Sequence, residues 1–399
     1  MARRKGKGKS GRRIKGWHGR YHAGEDAEKK AHRGRKHTRR AVKLPPDRLA
    51  APEQDQEDLP KAEGLVVAVY RRGATVRIGA EEVFCAIAKT FRAAENASAL
   101  AVGDVATVAL TQAHHTDGHL QIDGDRTEGM ILSRRLRETA LSRPRPTSAR
   151  RVDRYQTDVF EQVIAANMDV LLIVAATRQP KLRPRLIERF LIVAERGELE
   201  PLLAVNKIDL APPPKETVRE LRDLGVDILP CSALTGEGLD ALRARLAGRR
   251  SVLAGASGVG KSALINALVP DAGAATRAIR MKDQRGRHTT AAAAVYDLPA
   301  LGAHASASGE QAELPVGVGP GGILVDTPGV RELGFAIDLE DLPWYFPEFE
   351  PFVPECHFNN CTHTHEPGCA LLAAVEAGHV LRRRYESYLR IRESLTEGP

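Results

Sequence analysis

Short runs in which apolar and polar residues alternate occupy the chain from Gly64 to Ile122. Val, Ile and Thr alternate with polar residues in these runs, and Gly or Asp-Gly pairs separate them, as is typical of β-strands joined by turns. About five such strands in so short a segment predict a small closed barrel, most consistent with an OB-fold. We therefore predict an all-β OB-fold domain over residues 61–140. The runs are GLVVAVYRRGATVRI, EEVFCAIAK, VGDVATVAL and GHLQI.

The pattern changes beyond residue 150, where the apolar runs become continuous. MDVLLIVAA and PLLAV have the uninterrupted apolar character of parallel strands that are covered on both faces. The segment between them predicts an amphipathic helix that begins near Pro184 and ends near Gly197. Further strands at DILPC, SVLAG and GILVD alternate with helical segments, so residues 150–340 predict an α/β domain. Residues 300–322, rich in Ala, Gly and Ser, predict an enlarged loop in it.

The charge of the chain is concentrated at one end. The formal net charge is +8 over 399 residues, but residues 1–43 contain 17 Lys and Arg against 3 Asp and Glu, a net of +14. The other residues carry 42 basic and 48 acidic side chains, a net of −6. Residues 1–60 have too few apolar side chains to form a core, so we predict a disordered basic tail and linker. Trp17 and Tyr21 among the cations favour binding to nucleic acid over a merely solubilising role.

Basic side chains also occur in the predicted barrel, which makes RNA contact there plausible, although an ordinary solvated charged surface is the alternative. These are Arg71, Arg72, Arg77, Lys89 and Arg92.

Two further features indicate the compartment. The segment MARRKGKGKSGRRIKG has positive charge but no apolar stretch after it, so it does not predict a secretory signal. The most apolar run, MDVLLIVAA, is too short to span a bilayer. We therefore expect a cytoplasmic protein without membrane contact.

Three of the five cysteines lie between residues 356 and 369, which favours a metal site over disulfides. Cys85 and Cys231 are isolated in the sequence, and we predict that they pack as small apolar residues.

The stretch SVLAGASGVGKSALINAL predicts a phosphate-binding loop. It combines an apolar strand, a Gly-x4-Gly-Lys-Ser loop and an amphipathic helix. Glycines let backbone N–H groups face phosphates, the lysine reaches the β- and γ-phosphates, and the serine hydroxyl can ligate Mg²⁺. The predicted nucleotide-binding residues here are Gly255, Ala256, Ser257, Gly258, Val259, Gly260, Lys261, Ser262 and Ala263.

Two segments earlier in the chain predict selection of guanine. Asn206, Lys207 and Asp209 belong to the sequence VNKIDL, which follows the strand PLLAV. The Asp209 carboxylate can accept two parallel hydrogen bonds from N1–H and the exocyclic amine of guanine, which adenine cannot supply. Ser232 and Ala233, in CSALTGEG, can present a backbone N–H to guanine O6.

Two later segments complete the predicted magnesium and γ-phosphate site. In DTPGV, Asp326 can reach Mg²⁺ through water, and the N–H of Gly329 can contact the γ-phosphate. The stretch RGRHTT supplies Thr289 or Thr290 to complete the shell of the Mg²⁺ that Ser262 also binds, although a plain basic loop is the alternative.

The five elements occur in an unusual order, with the base-selecting segments before the phosphate loop. Moving those two segments to the end restores the order of an ordinary GTPase. A domain whose termini lie close together tolerates this change, because no strand or helix has to move. We therefore predict a circularly permuted P-loop GTPase domain that binds GTP and GDP with Mg²⁺.

The segment CHFNNCTHTHEPGC predicts a structural zinc site. Cys356, Cys361 and Cys369 supply three thiolates, and one imidazole would complete a closed tetrahedral set. The histidines available by spacing are His357, His363 and His365. The run HVLRRRYESYLRIRESL predicts a helix with a basic face, suited to RNA or to packing. Residues 341–399 thus predict a small α-helical zinc-binding domain.

Barrel, permuted GTPase and Cys/His cluster together resemble the bacterial ribosome small-subunit-dependent GTPase family. The resemblance covers about residues 60–395 and rests on NMDVLLIVAA, VNKIDL, GASGVGKSALINAL, RGRHTT, DTPGVRELGF and EPGCAL in that order. It implies a multidomain protein that binds the 30S ribosomal subunit and its 16S rRNA, hydrolyses GTP under stimulation by that subunit, and assists its late maturation. We expect a monomer.

The resemblance also implies roles for two histidines. It selects His363 as the fourth ligand of one structural Zn²⁺ per chain. Val330 stands where a glutamine would orient the attacking water in Ras-like enzymes, and the resemblance makes His288 the catalytic candidate instead. Two other hypotheses stay open: an RNA-binding scaffold in which nucleotide is only structural, and a GTPase that acts on another RNA, such as tRNA.

Overall fold

The computed structural model describes residues 59–70, 73–88, 91, 99–110, 113–116, 119–122, 128–144, 161–269, 293–300, 314–327 and 339–396. The predicted basic tail and most of the predicted loop 300–322 lie outside these residues.

Five strands close into a barrel, as predicted. The first seven strands are β1 (Lys61–Tyr70), β2 (Gly73–Ile78), β3 (Glu81–Ile87), β4 (Val105–Leu110), β5 (Ala113–Thr116), β6 (His119–Ile122) and β7 (Glu128–Arg134). The barrel has the order β1-β2-β3-β7-β4. Alternate side chains such as Val66, Val76 and Val108 fill its interior, because neighbouring residues of a strand point to opposite faces.

One strand of the barrel prediction was wrong. The run GHLQI forms β6, which pairs with β5 in a separate hairpin. The fifth strand of the barrel is β7, which pairs with both β3 and β4. Its GMIL stretch is continuously apolar and has no alternation that would have marked it as half-buried.

The middle of the chain forms a six-stranded sheet with helices. Strands β8 (Ala140–Pro144) and β9 (Glu161–Ala166) first form a small antiparallel pair. The sheet itself consists of β10 (Val170–Ala176), β11 (Glu200–Asn206), β12 (Asp227–Pro230), β13 (Arg250–Ala254), β14 (Ala294–Asp297) and β15 (Ile323–Asp326). The helices are α1 (Pro184–Gly197), α2 (Lys215–Asp223), α3 (Leu239–Leu246) and α4 (Lys261–Leu268). The sheet order is β12-β11-β10-β13-β15-β14, and only the edge strand β14 runs antiparallel to its neighbour. Every residue of β10 is buried, as its continuous apolar sequence predicts.

Strand β10 brings the separated motifs together. It pairs in parallel with β11 on one side and with β13 on the other. Strand β11 ends at Asn206, β13 leads into Gly255, and β15, parallel to β13, ends at Asp326. Because the carboxyl ends of parallel strands meet at one edge of a sheet, all three motifs lie along that edge.

The carboxyl-terminal region is built from short helices around an aromatic core. It contains three 3-10 turns (Leu342–Tyr345, Pro347–Phe349 and Val353–Glu355), α5 (Ala370–Glu376) and α6 (Arg382–Thr396). The rings of Phe346 and Phe349 stack with centroids 4.7 Å apart, and Tyr388 meets both edge-on. Arg384 of α6 is buried with its guanidinium 4.7 Å from the centroid of the Phe346 ring. This part of the basic helix is therefore used for packing.

Buried polar contacts join the three regions. Asn167, just before β10, donates a hydrogen bond from Nδ2 to the Gly103 carbonyl of the barrel region at 3.0 Å. At the other junction, Glu188 of α1 is 2% exposed, accepts a hydrogen bond from the Ser387 hydroxyl of α6, and lies 3.8 Å from the guanidinium of Arg383. Both the barrel and the carboxyl-terminal region thus contact the central sheet domain.

Cys85 and Cys231 are buried and form no disulfide, as expected for small apolar residues. Burial raises the pKa of Cys85 to about 12 and that of Cys231 to about 11, so both thiols stay neutral at neutral pH. Within the described ranges, no helix is long and apolar enough to cross a membrane.

Candidate functional site

The predicted phosphate loop connects the buried strand β13 to helix α4. Gly260, the last residue before the helix, has φ of 95°, which only glycine adopts without strain. A Cβ atom at this position would lie 2.4 Å from Nδ2 of Asn206. Gly260 is therefore required both by the turn and by the close approach of the predicted base-selecting segment.

Lys261 is held inside this loop. Its side chain is buried, and Nζ donates hydrogen bonds to the carbonyl oxygens of Gly255 at 2.7 Å and Ala256 at 2.5 Å. Ser262 and Ala263 follow on the first turn of α4 and are exposed. The loop thus presents an ammonium group and the N-terminus of a helix to the same space, which is suited to phosphate.

Asn206 links the phosphate loop to the second base-selecting segment. Its side chain is 1% exposed. Nδ2 donates to the carbonyl of Val259 at 3.0 Å, and Oδ1 accepts from the backbone N–H of Ala233 at 3.0 Å. One buried amide therefore fixes three loops that come from distant parts of the chain.

Lys207 adds a second link. It has φ of 64°, and its Nζ donates to the carbonyl of Gly258 at 2.8 Å and to that of Gln179. Thr177 donates from Oγ1 to the Lys207 carbonyl at 2.7 Å. Sequence analysis missed Thr177 and Gln179, because nothing in the short loop after β10 marks them. Only the pairing of β10 with β11 places them beside the nucleotide motifs.

Asp209, the predicted guanine reader, is exposed, and its carboxylate is oriented by a neighbour. Oδ1 accepts a hydrogen bond from the Ser232 hydroxyl at 2.5 Å. The structure thus brings together Asp209 and Ser232, which are 23 residues apart. Ser232 and Ala233 are predicted to present a backbone N–H to guanine O6, but the Ser232 N–H donates to the Glu237 carbonyl at 2.9 Å and the Ala233 N–H to Asn206, so contact with the base requires one of these bonds to be shared or exchanged.

The predicted magnesium ligands are only partly described. Asp326 is the last residue of β15, and it pairs with Leu253, the second-last residue of β13. Strand β13 leads through the phosphate loop to Ser262 on the first turn of α4, so Asp326 ends the strand next to the one from which that loop starts. Carboxylate and hydroxyl oxygens are the kind of hard donors that Mg²⁺ prefers. The remaining predicted residues of this part of the site, His288, Thr289, Thr290 and Gly329, lie outside the described residues, as does Val330.

The predicted zinc ligands form a single cluster. The ligand atoms of Cys356, Cys361, His363 and Cys369 all lie within 4.8 Å of one another. Sγ of Cys356 is 3.8 Å from Sγ of Cys369, and the two sulphurs are 3.4 and 3.5 Å from Nδ1 of His363. Tetrahedral zinc with bonds of about 2.3 Å to sulphur and about 2.0 Å to nitrogen separates the ligand atoms by about 3.8 and 3.5 Å. The spacing fits a tetrahedral metal ion, and His357 and His365 are not part of the cluster.

Burial shapes the acid–base behaviour of these ligands. It raises the pKa of the Cys361 thiol to about 12 and lowers that of His363. The imidazole therefore favours the neutral form that binds metal, whereas a divalent cation would have to displace the thiol protons. Leu372, in the first turn of α5, donates its N–H to Sγ of Cys369 at 3.5 Å, which favours the thiolate.

Residues outside the Cys/His motif hold the ligand loop in place. The Glu366 carboxylate accepts hydrogen bonds from the backbone N–H groups of Thr362 at 2.8 Å and Thr364 at 3.0 Å. Burial acts to raise the pKa of Glu366, but hydrogen bonds from the Thr362 hydroxyl and from the backbone N–H groups of Thr362, Glu366 and His365 outweigh it and lower the pKa well below its ordinary value. From α6, Tyr385 donates to the His363 carbonyl and Tyr388 to the Thr362 carbonyl, both at 2.8 Å. The motif gave no sign of these two tyrosines, which only tertiary packing brings to the loop.

Comparison with known proteins agrees with this geometry. A family model described as RsgA GTPase matches residues 137–336. The chain is 40% identical over 276 residues to the small ribosomal subunit biogenesis GTPase RsgA of Chlorobaculum tepidum. The matched segment covers 68% of this chain and 81% of that protein. It is 33% identical over 344 residues to the protein of the same description from Haemophilus influenzae, covering 84% and 85%.

Solved structures show the same architecture. YjeQ from Thermotoga maritima matches with a TM-score of 0.58 and 28% identity, covering 85% of this chain and all of that one. YloQ, described as a circularly permuted GTPase, matches with a TM-score of 0.55 and 23% identity, covering 88% and 99%. The predicted combination of a barrel, a permuted GTPase fold and a carboxyl-terminal Cys/His cluster is confirmed.

Proposed function

The chain belongs to the RsgA GTPase family and is a GTP hydrolase, and we propose that it binds the 30S ribosomal subunit and assists the late maturation of that subunit. Hydrolysis of GTP to GDP and phosphate is stimulated by the subunit in this proposal. The relatives described as small ribosomal subunit biogenesis GTPases support the choice of partner. We place the protein in the cytoplasm, as a monomer whose RNA target is 16S rRNA.

One observation carries the nucleotide part of the proposal. The buried Asn206 amide contacts both the phosphate loop and the Ala233 segment, so the elements that read base and phosphate are mutually fixed. A site that recognises guanine and phosphate at once needs such a link, because the two groups are at opposite ends of the nucleotide. We assign guanine recognition to Asp209, with Ser232 fixing its orientation.

The phosphate and magnesium roles follow from position. Lys261 and the backbone of Gly255–Ala263 bind the phosphates, since they surround the helix N-terminus. Ser262 and Asp326, with Thr289 or Thr290, would hold Mg²⁺, which neutralises charge on the β- and γ-phosphates when bound. Gly329 would contact the γ-phosphate. His288 is the proposed group that orients the attacking water, because Val330 cannot do so.

The metal in the Cys/His cluster is proposed to be structural zinc. Three thiolates and one imidazole leave no open coordination position for a substrate. The ion would fix the loop 356–369 against α5 and α6, and it takes no part in hydrolysis. The choice of zinc rests on the donor set and on the tetrahedral spacing of the ligand atoms.

The deciding experiment measures GTP hydrolysis with and without purified 30S subunits, 50S subunits and tRNA. We expect slow hydrolysis by the protein alone and marked acceleration only by 30S subunits. A Lys261→Ala variant should lose both rates, which assigns them to this site. Acceleration by tRNA instead of 30S subunits would favour the alternative GTPase, and no acceleration by any particle would refute the proposal.

A further inference from the structure

A guanidinium group of the barrel binds two carboxylates, one within the barrel and one on the edge strand β14 of the GTPase sheet. Arg77, on the barrel strand β2, donates from NH1 to Asp297 Oδ1 at 2.6 Å and from NH2 to Glu82 Oε1 at 3.0 Å. Glu82 is its cross-strand neighbour on β3, whereas Asp297 is the last residue of β14. Burial acts to lower the pKa of Arg77, but the two carboxylates outweigh it and raise the pKa. The guanidinium predicted to contact RNA is thus bound within the chain.

Strand β14 connects this contact to the nucleotide site. Its first residue, Ala294, pairs with Asp326, the proposed magnesium residue, and its last residue, Asp297, pairs with Ile323. Three residues of extended chain, or about 10 Å, separate the two ends.

A second contact joins the barrel to the β14–β15 pair. Gly317, shortly before β15, has φ of 71°, and a Cβ atom there would lie 2.6 Å from Cβ of Leu65 on β1. Leu65 belongs to the same apolar cluster as Val325 of β15, and Val295 of β14 packs against that cluster. The barrel therefore contacts the β14–β15 pair at two places, through Asp297 at the end far from Asp326 and through the apolar cluster that includes Val325, the neighbour of Asp326.

We propose that Arg77 is a positioning residue for GTP hydrolysis: by binding Asp297 it fixes β14, and it thereby couples the barrel to Asp326, the proposed magnesium residue that pairs with the other end of β14. The coupling to subunit-stimulated hydrolysis rests on the proposed function. The ion pair contributes little to folding, because Asp297 is 61% exposed, and such pairs are weak in water. Its role is to determine where an edge strand with only one sheet neighbour lies.

The test compares Asp297→Asn with Glu82→Gln in the full-length protein. Each variant removes one carboxylate from Arg77, but only the first breaks a link between barrel and sheet. With saturating 30S subunits, we expect Asp297→Asn to lower the maximal rate of GTP hydrolysis by about 2- to 5-fold, because an exposed ion pair can transmit no more than its own interaction free energy. KM for GTP, affinity for the subunit and basal hydrolysis should stay within about 2-fold of the wild type in both variants, and Glu82→Gln should retain full stimulation.

A double-mutant cycle isolates the pair. Arg77→Met combined with Asp297→Asn should lower the stimulated rate no further than Arg77→Met alone, because the interaction is already lost. Full stimulation of Asp297→Asn, or an equal loss in Glu82→Gln, would overturn the proposal.

A second measurement needs no ribosomal subunit, so it separates failure of this inference from failure of the proposed function. Backbone hydrogen exchange over residues 293–298 should be faster in Asp297→Asn than in the wild type and unchanged in Glu82→Gln. If the wild type is not stimulated by 30S subunits, the proposed function fails and exchange alone decides whether Arg77 positions β14. Unchanged exchange in Asp297→Asn would refute that positioning.

Discussion

Replacing Asn206 with alanine should weaken GDP binding by about 30-fold, because the phosphate loop and the Ala233 segment would lose their common anchor. The side chain is 1% exposed and makes two hydrogen bonds of 3.0 Å, one to Val259 and one from Ala233. A hydrogen bond of this kind contributes about 1 kcal/mol net, so the two together contribute about 2 kcal/mol. That energy favours the arrangement in which both loops can contact the nucleotide, and its loss lowers the fraction of molecules able to bind.

The chain offers a matched control in Asn167. It is also buried, at 6% exposed, and both ends of its amide are bonded: Oδ1 accepts from Glu138 N–H at 2.9 Å and Nδ2 donates to Gly103 at 3.0 Å. It lies where the barrel joins the sheet domain and, among the described residues, contacts none of the nucleotide loops. Asn167→Ala should therefore lower thermal stability at least as much as Asn206→Ala, because Asn167 also has φ of 54°, which alanine adopts only with strain, while GDP affinity stays unchanged.

The assay is isothermal titration of each variant with GDP, together with a thermal melt. If Asn206→Ala binds GDP as tightly as the wild type, the bridge has no role in binding. If both variants lose affinity equally, the effect reflects general destabilisation, and the assignment of Asn206 as the common anchor is refuted.

Two substitutions and one truncation test separate parts of the molecule. Asp209→Asn should weaken GTP binding and favour xanthosine triphosphate in competition titrations, since Ser232 can still bond the amide oxygen and preserve the loop; unchanged GTP affinity would exclude Asp209 as the base reader. Purified protein should contain one zinc per chain by elemental analysis, and Cys361→Ser should lose it whereas Cys231→Ser should not; a fully folded native protein free of metal would contradict this. Removing residues 1–45 should make log affinity for 30S subunits less steeply dependent on log salt concentration, by about 3 units of slope if about a third of the tail charges bind rRNA phosphates. Basal hydrolysis should stay unchanged. An identical slope in the truncated protein would indicate a merely solubilising tail.

The sequence alone determined the elements whose signal is local. The strand, loop and helix around Lys261 follow from a short apolar run, spaced glycines and an amphipathic segment that are contiguous in the chain. Helix α1 begins at Pro184 as predicted, although the left-handed residue that ends it is Glu198, one position beyond Gly197. The Cys/His spacing predicted the ligand cluster, because a tetrahedral ion restricts how its ligands can be separated along the chain. The order of motifs also predicted the permutation, since motif order is a property of the sequence itself.

Only the tertiary structure decided which distant segments meet. The barrel is closed by β7 and not by β6, because strand pairing depends on register and burial against partners far away in the sequence. Asn206 contacts a carbonyl 53 residues away, and Arg77 contacts a carboxylate 220 residues away. Neither partner is marked by its neighbours in sequence, because a side chain's hydrogen bonds are set by which chain segments pack beside it. Residue type and spacing thus predicted the chemical groups of the site, whereas the packing of sheet, barrel and carboxyl-terminal helices selected the contacts that hold those groups in position.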